Sequence, residues 1–118
     1  MDQKSNQPFV SIIGSELSSI EFVRDYIQFR FDGPCLTAIT DPYILIDGER
    51  YNRGDTGYND MLLHFIGQAI INVLLIENNV LSLYFSQQKS INISLDPKDI
   101  VTVEAVTYRD SSGNLWIW

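Results

Sequence analysis

The chain has one cysteine in 118 residues, so no intramolecular disulfide framework holds it together. Basic residues are scarce: eight Lys and Arg stand against fifteen Asp and Glu, a net charge of −7. That balance argues against a nucleic-acid binder. No apolar run approaches the ~18 residues that a membrane span needs. Cysteine and the single histidine form no zinc-spaced set, and there is no glycine-rich phosphate loop, nucleophile elbow or basic stripe. No motif calls for a cofactor, and none is expected. The opening Met1–Pro8 is polar, and residues 1–8 are expected to be flexible. Apolar letters begin at Phe9 but are broken by Ser11, Gly14 and Ser15, so no secretory signal is legible and a cytoplasmic location is the expectation.

What is present is globular. Hydrophobic residues make up 45% and charged residues 19%, and the length suits a single domain over 1–118. The clearest organisation is an internal repeat. Ile13-Gly14 recurs as Ile66-Gly67, and the same shift of 53 positions places Ile20 on Val73, Phe22 on Leu75 and Val23 on Ile76. A shift of 54 then places Ile27 on Leu81, Phe29 on Leu83, Phe31 on Phe85 and Ile39 on Ile93. Asp41-Pro42 matches Asp96-Pro97 after one further inserted residue. The repeat halves run from about 13–47 and 66–109.

Each half reads as strands. Leu17–Val23 carries Ile20 and Phe22 two apart, and Arg24-Asp25 turns. Tyr26–Phe31 then alternates, with Ile27, Phe29 and Phe31 on one face. Asp32-Gly33-Pro34 is a turn, Cys35–Thr40 a third strand, Asp41-Pro42 a break, and Tyr43–Asp47 a fourth strand closed by Gly48. In the second half Ile70–Ile76 is nearly continuously apolar, as in a strand buried on both faces or lying at a dimer contact. Asn78-Asn79 turns, Val80–Phe85 and Ile91–Leu95 alternate, and Asp96-Pro97 breaks. Ile100–Arg109 is expected to be the longest strand, with Val101, Val103, Ala105 and Thr107 facing one way. Leu115–Trp118 is a final strand. Gly48–Gly57 reads as an exposed linker. Met61, Leu62 and Phe65 share a helical face, which predicts one short connecting helix at about 58–66, capped by Thr56 or Asn59 and ended by Gly67. The expected fold is mainly β (α+β by that short helix). It has two similar antiparallel meanders of about four strands each, related by a pseudo-twofold and packed as a sandwich or open barrel.

The Ile13-Gly14 opening with Leu17, Ile20 and Phe22, the run Gln28-Phe29-Arg30-Phe31-Asp32-Gly33, and the second opening Ile66-Gly67 with its hairpin resemble a group of small uncharacterised bacterial β-rich domains with an internal repeat. Some of these are candidate immunity proteins of polymorphic toxin systems. The resemblance covers about residues 13–109 and rests on apolar patterning and turn glycines. It implies a β-rich fold and a bacterial, cytoplasmic origin, and it brings no catalytic or binding residues with it.

Candidate chemistry is sparse. Asp60 and His64 lie four apart on one side of the predicted helix, as an acid–base pair or two metal ligands would. A catalytic metal site takes three protein ligands, and no third is set by spacing. The ordinary alternative is a helix-surface ion pair. Cys35 could pair with His64 as a thiol nucleophile, although free cysteine is more often a small buried hydrophobe. Arg50, Tyr51, Arg53, Asp55 and Tyr58 crowd the linker beside Glu49, a composition that suits a partner-binding loop. Arg53-Gly54-Asp55 and Asn92-Ile93-Ser94 match short adhesion and glycosylation patterns that an unsecreted protein does not use. Trp116 and Trp118 share one face of the terminal strand, the expected seam of a homodimer. The function expected is a non-catalytic protein-interaction or binding domain, with no nucleic acid and no membrane as partner. An immunity protein that neutralises a bacterial toxin is one alternative, the acidic surface steering a basic toxin. Others are a small hydrolase or isomerase using Asp60 and His64, and a binder of small apolar ligands between the halves.

Overall fold

A computed structural model describes residues 3–100 and 104–118, with side chains from Pro8 onward. Ten strands and one α-helix are described: β1 (Ser19–Val23), β2 (Tyr26–Arg30), β3 (Cys35–Ala38), β4 (Tyr43–Ile46), β5 (Glu49–Tyr51), α1 (Tyr58–Leu63), β6 (Asn72–Ile76), β7 (Val80–Ser86), β8 (Lys89–Ser94), β9 (Val106–Arg109) and β10 (Leu115–Ile117). They form two five-stranded antiparallel sheets, β1-β2-β3-β9-β10 and β6-β7-β8-β4-β5. Ile27, Phe29, Leu36, Ala38, Val106 and Tyr108 of the first sheet share one buried cluster with Ile44, Val73, Leu81, Leu83, Ile91 and Ile93 of the second. The fold is the mainly β, pseudo-twofold sandwich or open barrel that alternation and repeat imply.

The halves are interlocked rather than side by side. Each contributes three consecutive strands to one sheet and a two-stranded hairpin to the other. Asp41-Pro42 lies where the chain leaves β3 of the first sheet for β4 of the second. Asp96-Pro97 follows β8 of the second sheet, ahead of β9 in the first. Proline lacks the N–H that would continue a ladder, so the same dipeptide ends pairing at the equivalent point of each half.

The pseudo-twofold is legible bond by bond. Gly14 N–H donates to Ile70 O at 2.6 Å, and Gly67 N–H donates to Leu17 O at 2.8 Å. Ile70 N–H donates to Ser15 O at 2.9 Å, and Leu17 N–H to Gln68 O at 3.0 Å. Swapping the halves exchanges the members of each pair, with the isolated Glu16–Ala69 bridge on the axis. Gly14 and Gly67 hold φ of 92° and 91°, the left-handed region that glycine enters freely.

The repeat extends upstream of the first Ile-Gly. Gln3–Ile12 is a 3-10 helix in the position that α1 occupies ahead of Gly67. Phe9 and Ile12 are buried like Leu62 and Phe65, while Val10 and Ile13 are exposed like Leu63 and Ile66. The helix begins at Gln3, inside the 1–8 stretch expected to be flexible, and Pro8 at its end is buried.

Several boundaries differ from expectation for identifiable reasons. Gly48–Gly57 is not all linker, because Asp47 (φ 51°) and Gly48 (φ 84°) make a two-residue turn that returns the chain as β5 against β4. Helix α1 ends at Leu63. Gly57, not Thr56 or Asn59, occupies its N-cap position, with no side-chain cap bond. β6 is not buried on both faces: Val73 and Leu75 point inward, and Leu74 and Ile76 outward. Of the expected long strand Ile100–Arg109, the described residues form a strand over Val106–Arg109, with Val106 and Tyr108 inward and Thr107 outward. Val101 and Val103 lie outside the described residues. Ala38, not Ile39, is the mate of Ile93, since Ala38 lies opposite Ile27 as Ile93 lies opposite Leu81.

Candidate functional site

The charged residues expected to form a binding loop gather at one end of the sandwich. There the β1–β2 turn, the Asp41-Pro42 crossover and the β4–β5 hairpin meet. Register brings Arg50 of β5 opposite Leu45 of β4, and its guanidinium lies 3.7 Å above the centre of the Tyr43 ring, a cation–π contact. Arg50 Nε also donates to Asn52 Oδ1 at 2.9 Å. Arg24, Asp25, Asp41, Tyr43, Arg50 and Asp99 line a surface depression of about 380 Å³.

Arg53 ties this end together. It bonds Asp41 Oδ1 at 2.9 Å and donates to Val23 O at 3.2 Å, so the loop after β5 is fastened to the first sheet. Asp55 Oδ2 accepts the Asn52 N–H at 2.7 Å while the Asp55 N–H donates to Asn52 O at 2.9 Å, so the two residues close the loop reciprocally. A second depression of about 400 Å³ lies beyond, lined by Arg53, Gly54, Asp55, Gly57, Asn59 and Asp60. Tyr51 donates to Glu49 Oε1 at 3.2 Å. The Glu49 charge, followed by burial, pushes the Tyr51 phenol up from its usual range.

Tyr58 does not share this exposure. It is 1% exposed, and its hydroxyl donates to Pro42 O at 2.6 Å. Burial, then the charge of Asp41, pushes its phenol far up, against a smaller opposing effect of Arg53. It supports the crossover from beneath, and Tyr51 is half-buried against the core, so the charged groups the loop presents are Arg50, Arg53 and Asp55.

Asp60 and His64 are joined through the main chain. His64 Nδ1 lies 2.7 Å from the Asp60 carbonyl oxygen, which only accepts, so Nδ1 carries the proton. His64 lines a separate depression of about 290 Å³ with Ile46, Met61, Phe65, Gln68 and Lys89. Cys35 is half-buried on the outward face of the first sheet, not the buried small residue that its type suggests. Asn92, within the glycosylation pattern, is 2% exposed and bonded to Ser82 and Ser90. Among the described residues no group of three His, Cys, Asp or Glu is placed to hold a metal ion. None of the described helices is long and apolar enough to cross a membrane.

The two tryptophans have separate surroundings. Trp118 stacks on Phe9 with ring centres 5.2 Å apart, within its own chain. Trp116 is 39% exposed, and its Nε1 reaches Asp110 Oδ2 at 3.5 Å. The missed features at this site were β5 and the partnership of Arg53 with Asp41. Asp47-Gly48 was the available signal for the first, being a strong hairpin dipeptide. The second joins residues twelve positions apart through the crossover, and no local pattern encodes it.

No family model, curated protein or solved structure matches the chain.

Proposed function

We propose that the chain is a non-catalytic protein-interaction domain, working in the bacterial cytoplasm as a homodimer, whose partner docks on the end built from Arg24, Tyr43, Arg50, Tyr51 and Arg53. The carrying observation is the clustering there. Three of the five arginines gather at this end, with Arg50 already stacked on Tyr43, Arg53 already fastened, and Tyr51 half-buried behind them on the inward face of β5. Arginine and tyrosine supply much of the energy of protein interfaces, and pre-ordered side chains lose less entropy on binding. Asp25, Asp41, Asp55 and Asp99 lie between the arginines, so the surface suits a partner with charges of both signs.

The immunity reading is a narrower form of this proposal. Its support is the net charge of −7, which would speed encounter with a basic toxin. The hydrolase or isomerase reading has weaker support, since the His64 ring is bonded to the Asp60 carbonyl.

The test is affinity capture from cells of the source organism, followed by binary titration with the protein recovered. Arg50→Glu and Arg24→Glu should weaken that binding at least tenfold. A partner bound equally well by both variants would place its site elsewhere.

A further inference from the structure

The pseudo-twofold supplies an internal comparison for the sheet edges. Strand β10 ends the first sheet as β5 ends the second. Counted from the inward-facing Tyr108 and Ile44, Leu115 stands where Arg50 does and Trp116 where Tyr51 does. One of these equivalent edges carries Glu49 and Arg50. The other carries Leu115, Trp116 and Ile117, which are 50%, 39% and 52% exposed. Charges on an edge strand prevent unwanted pairing, and an uncharged apolar edge invites it. The remaining edges are treated differently. β1 carries Glu21, and the N-terminal 3-10 helix packs along β6.

The hydrogen-bond phase of β10 defines what the edge offers. Trp118 N–H donates to Val106 O at 3.0 Å, and Asp110 N–H to Asn114 O at 3.0 Å. In an antiparallel pair such bonding residues alternate with residues whose N–H and C=O point away. Trp116 therefore turns its main-chain groups toward β9, whereas Leu115 and Ile117 turn theirs toward the open side.

We infer that this edge is filled by β10 of a second copy, antiparallel, about a twofold axis at Trp116. The inference rests on the homodimer reading above and specifies its seam. Three properties favour a second copy. The pattern is self-complementary: with Trp116 on the axis, Leu115 meets Ile117 of the other copy, and all four outward N–H groups find outward C=O groups. The three strand residues carry no charge, and the carboxylate beside them, Asp110, is held by N–H groups of its own loop and by the Trp116 indole. A twofold contact of this kind also closes after two copies and leaves no edge to propagate. The two Trp116 residues form the central non-hydrogen-bonded pair, with Cα atoms ~4.5 Å apart and side chains in contact. Trp118, stacked on Phe9, stays within its own subunit. The pairing joins the two first sheets into one continuous sheet.

The test is sedimentation equilibrium of the full chain across micromolar to hundred-micromolar concentration, with two sets of variants. The wild type should shift from 13.5 kDa to twice that mass. Leu115→Lys with Ile117→Lys should remain monomeric, with an unchanged near-ultraviolet circular dichroism spectrum. In a Cys35→Ser background under mild oxidation, Trp116→Cys should cross-link to itself, since ~4.5 Å lies within disulfide reach. Leu115→Cys should cross-link to Ile117→Cys in a mixture and not to itself. A wild type that is monomeric throughout overturns both the homodimer and the seam. A dimer that survives the lysines overturns the seam and leaves the homodimer standing. Self-cross-linking at position 115 overturns the register.

Discussion

Two buried tyrosines carry hydroxyls in opposite situations. Tyr58 donates to the Pro42 carbonyl at 2.6 Å, whereas the hydroxyl of Tyr108 makes no well-formed hydrogen bond among the described residues and has only the Ser11 hydroxyl near enough to act on it. Tyr58→Phe should therefore cost about 1–3 kcal/mol in urea unfolding, because it strands a buried carbonyl. Tyr108→Phe should cost less than Tyr58→Phe in the same measurement, because it strands no buried carbonyl. Burial raises both phenols, which sets the sign of the alkaline behaviour. A group whose pKa is higher folded than unfolded contributes fully below its unfolded value, about 10 for tyrosine, and loses its contribution as pH rises. Stability should fall above about pH 10, and Tyr58→Phe should flatten part of that decline. Neither role was legible in the sequence. Tyr58 read as a loop residue because its neighbours Arg53, Asp55 and Asn59 are polar, and burial by a crossover sixteen positions away leaves no local trace.

At the scale of the element, turns decide where strands start and stop. The loop Asp110–Asn114 is wound around one carboxylate: Asp110 Oδ1 accepts the N–H groups of Ser112 and Asn114, each at 2.9 Å. Partial burial would raise the Asp110 pKa, but these bonds, with those from the Asn114 and Trp116 side chains, outweigh it and hold the pKa below the usual range. A depressed carboxylate stabilises above its unfolded pKa and loses that contribution as pH falls. Asp110→Ala should therefore speed amide exchange in β10 while the β6–β8 amides stay protected, and acid should loosen the same hairpin in the wild type. Strand positions were well legible where alternation is strict, as in Tyr26–Arg30 and Val80–Ser86. They were misjudged where an apolar run hides the period: the strand within Ile70–Ile76 is Asn72–Ile76, exposed on one face. β5 was missed because its three residues carry two charges, a composition suited to an edge.

For the whole molecule, the internal repeat was visible as letters, yet its meaning lay in connectivity. Four strands per meander was the simplest reading of Asp41-Pro42 and Asp96-Pro97, but those dipeptides mark where each half crosses to the other sheet. Long-range pairing of this kind follows from the joint burial of Phe29, Leu36, Leu83 and Ile91 and not from any segment's own pattern. Gly14 and Gly67 are the residues closest to the axis that demand a special backbone. Gly67→Ala should cost about 1 kcal/mol or more in chemical denaturation, since alanine at positive φ is strained. Self-association of two acidic molecules through an apolar strand has its own signature. Raising salt from low to physiological should strengthen dimerisation, because it screens the repulsion of two acidic molecules without touching the contact.

Strands β5 and β10, each at a proposed surface, are lent by one half of the chain to the sheet of the other. The most direct measurement is fragment complementation, with the chain divided in the loop after β5 into 1–54 and 55–118. Each fragment alone should lack near-ultraviolet circular dichroism and protected amides, because each sheet then misses strands from the other half. Mixed in equal amounts, they should recover the native spectrum as a complex. Either fragment folding on its own as a stable monomer would contradict the interlocked account.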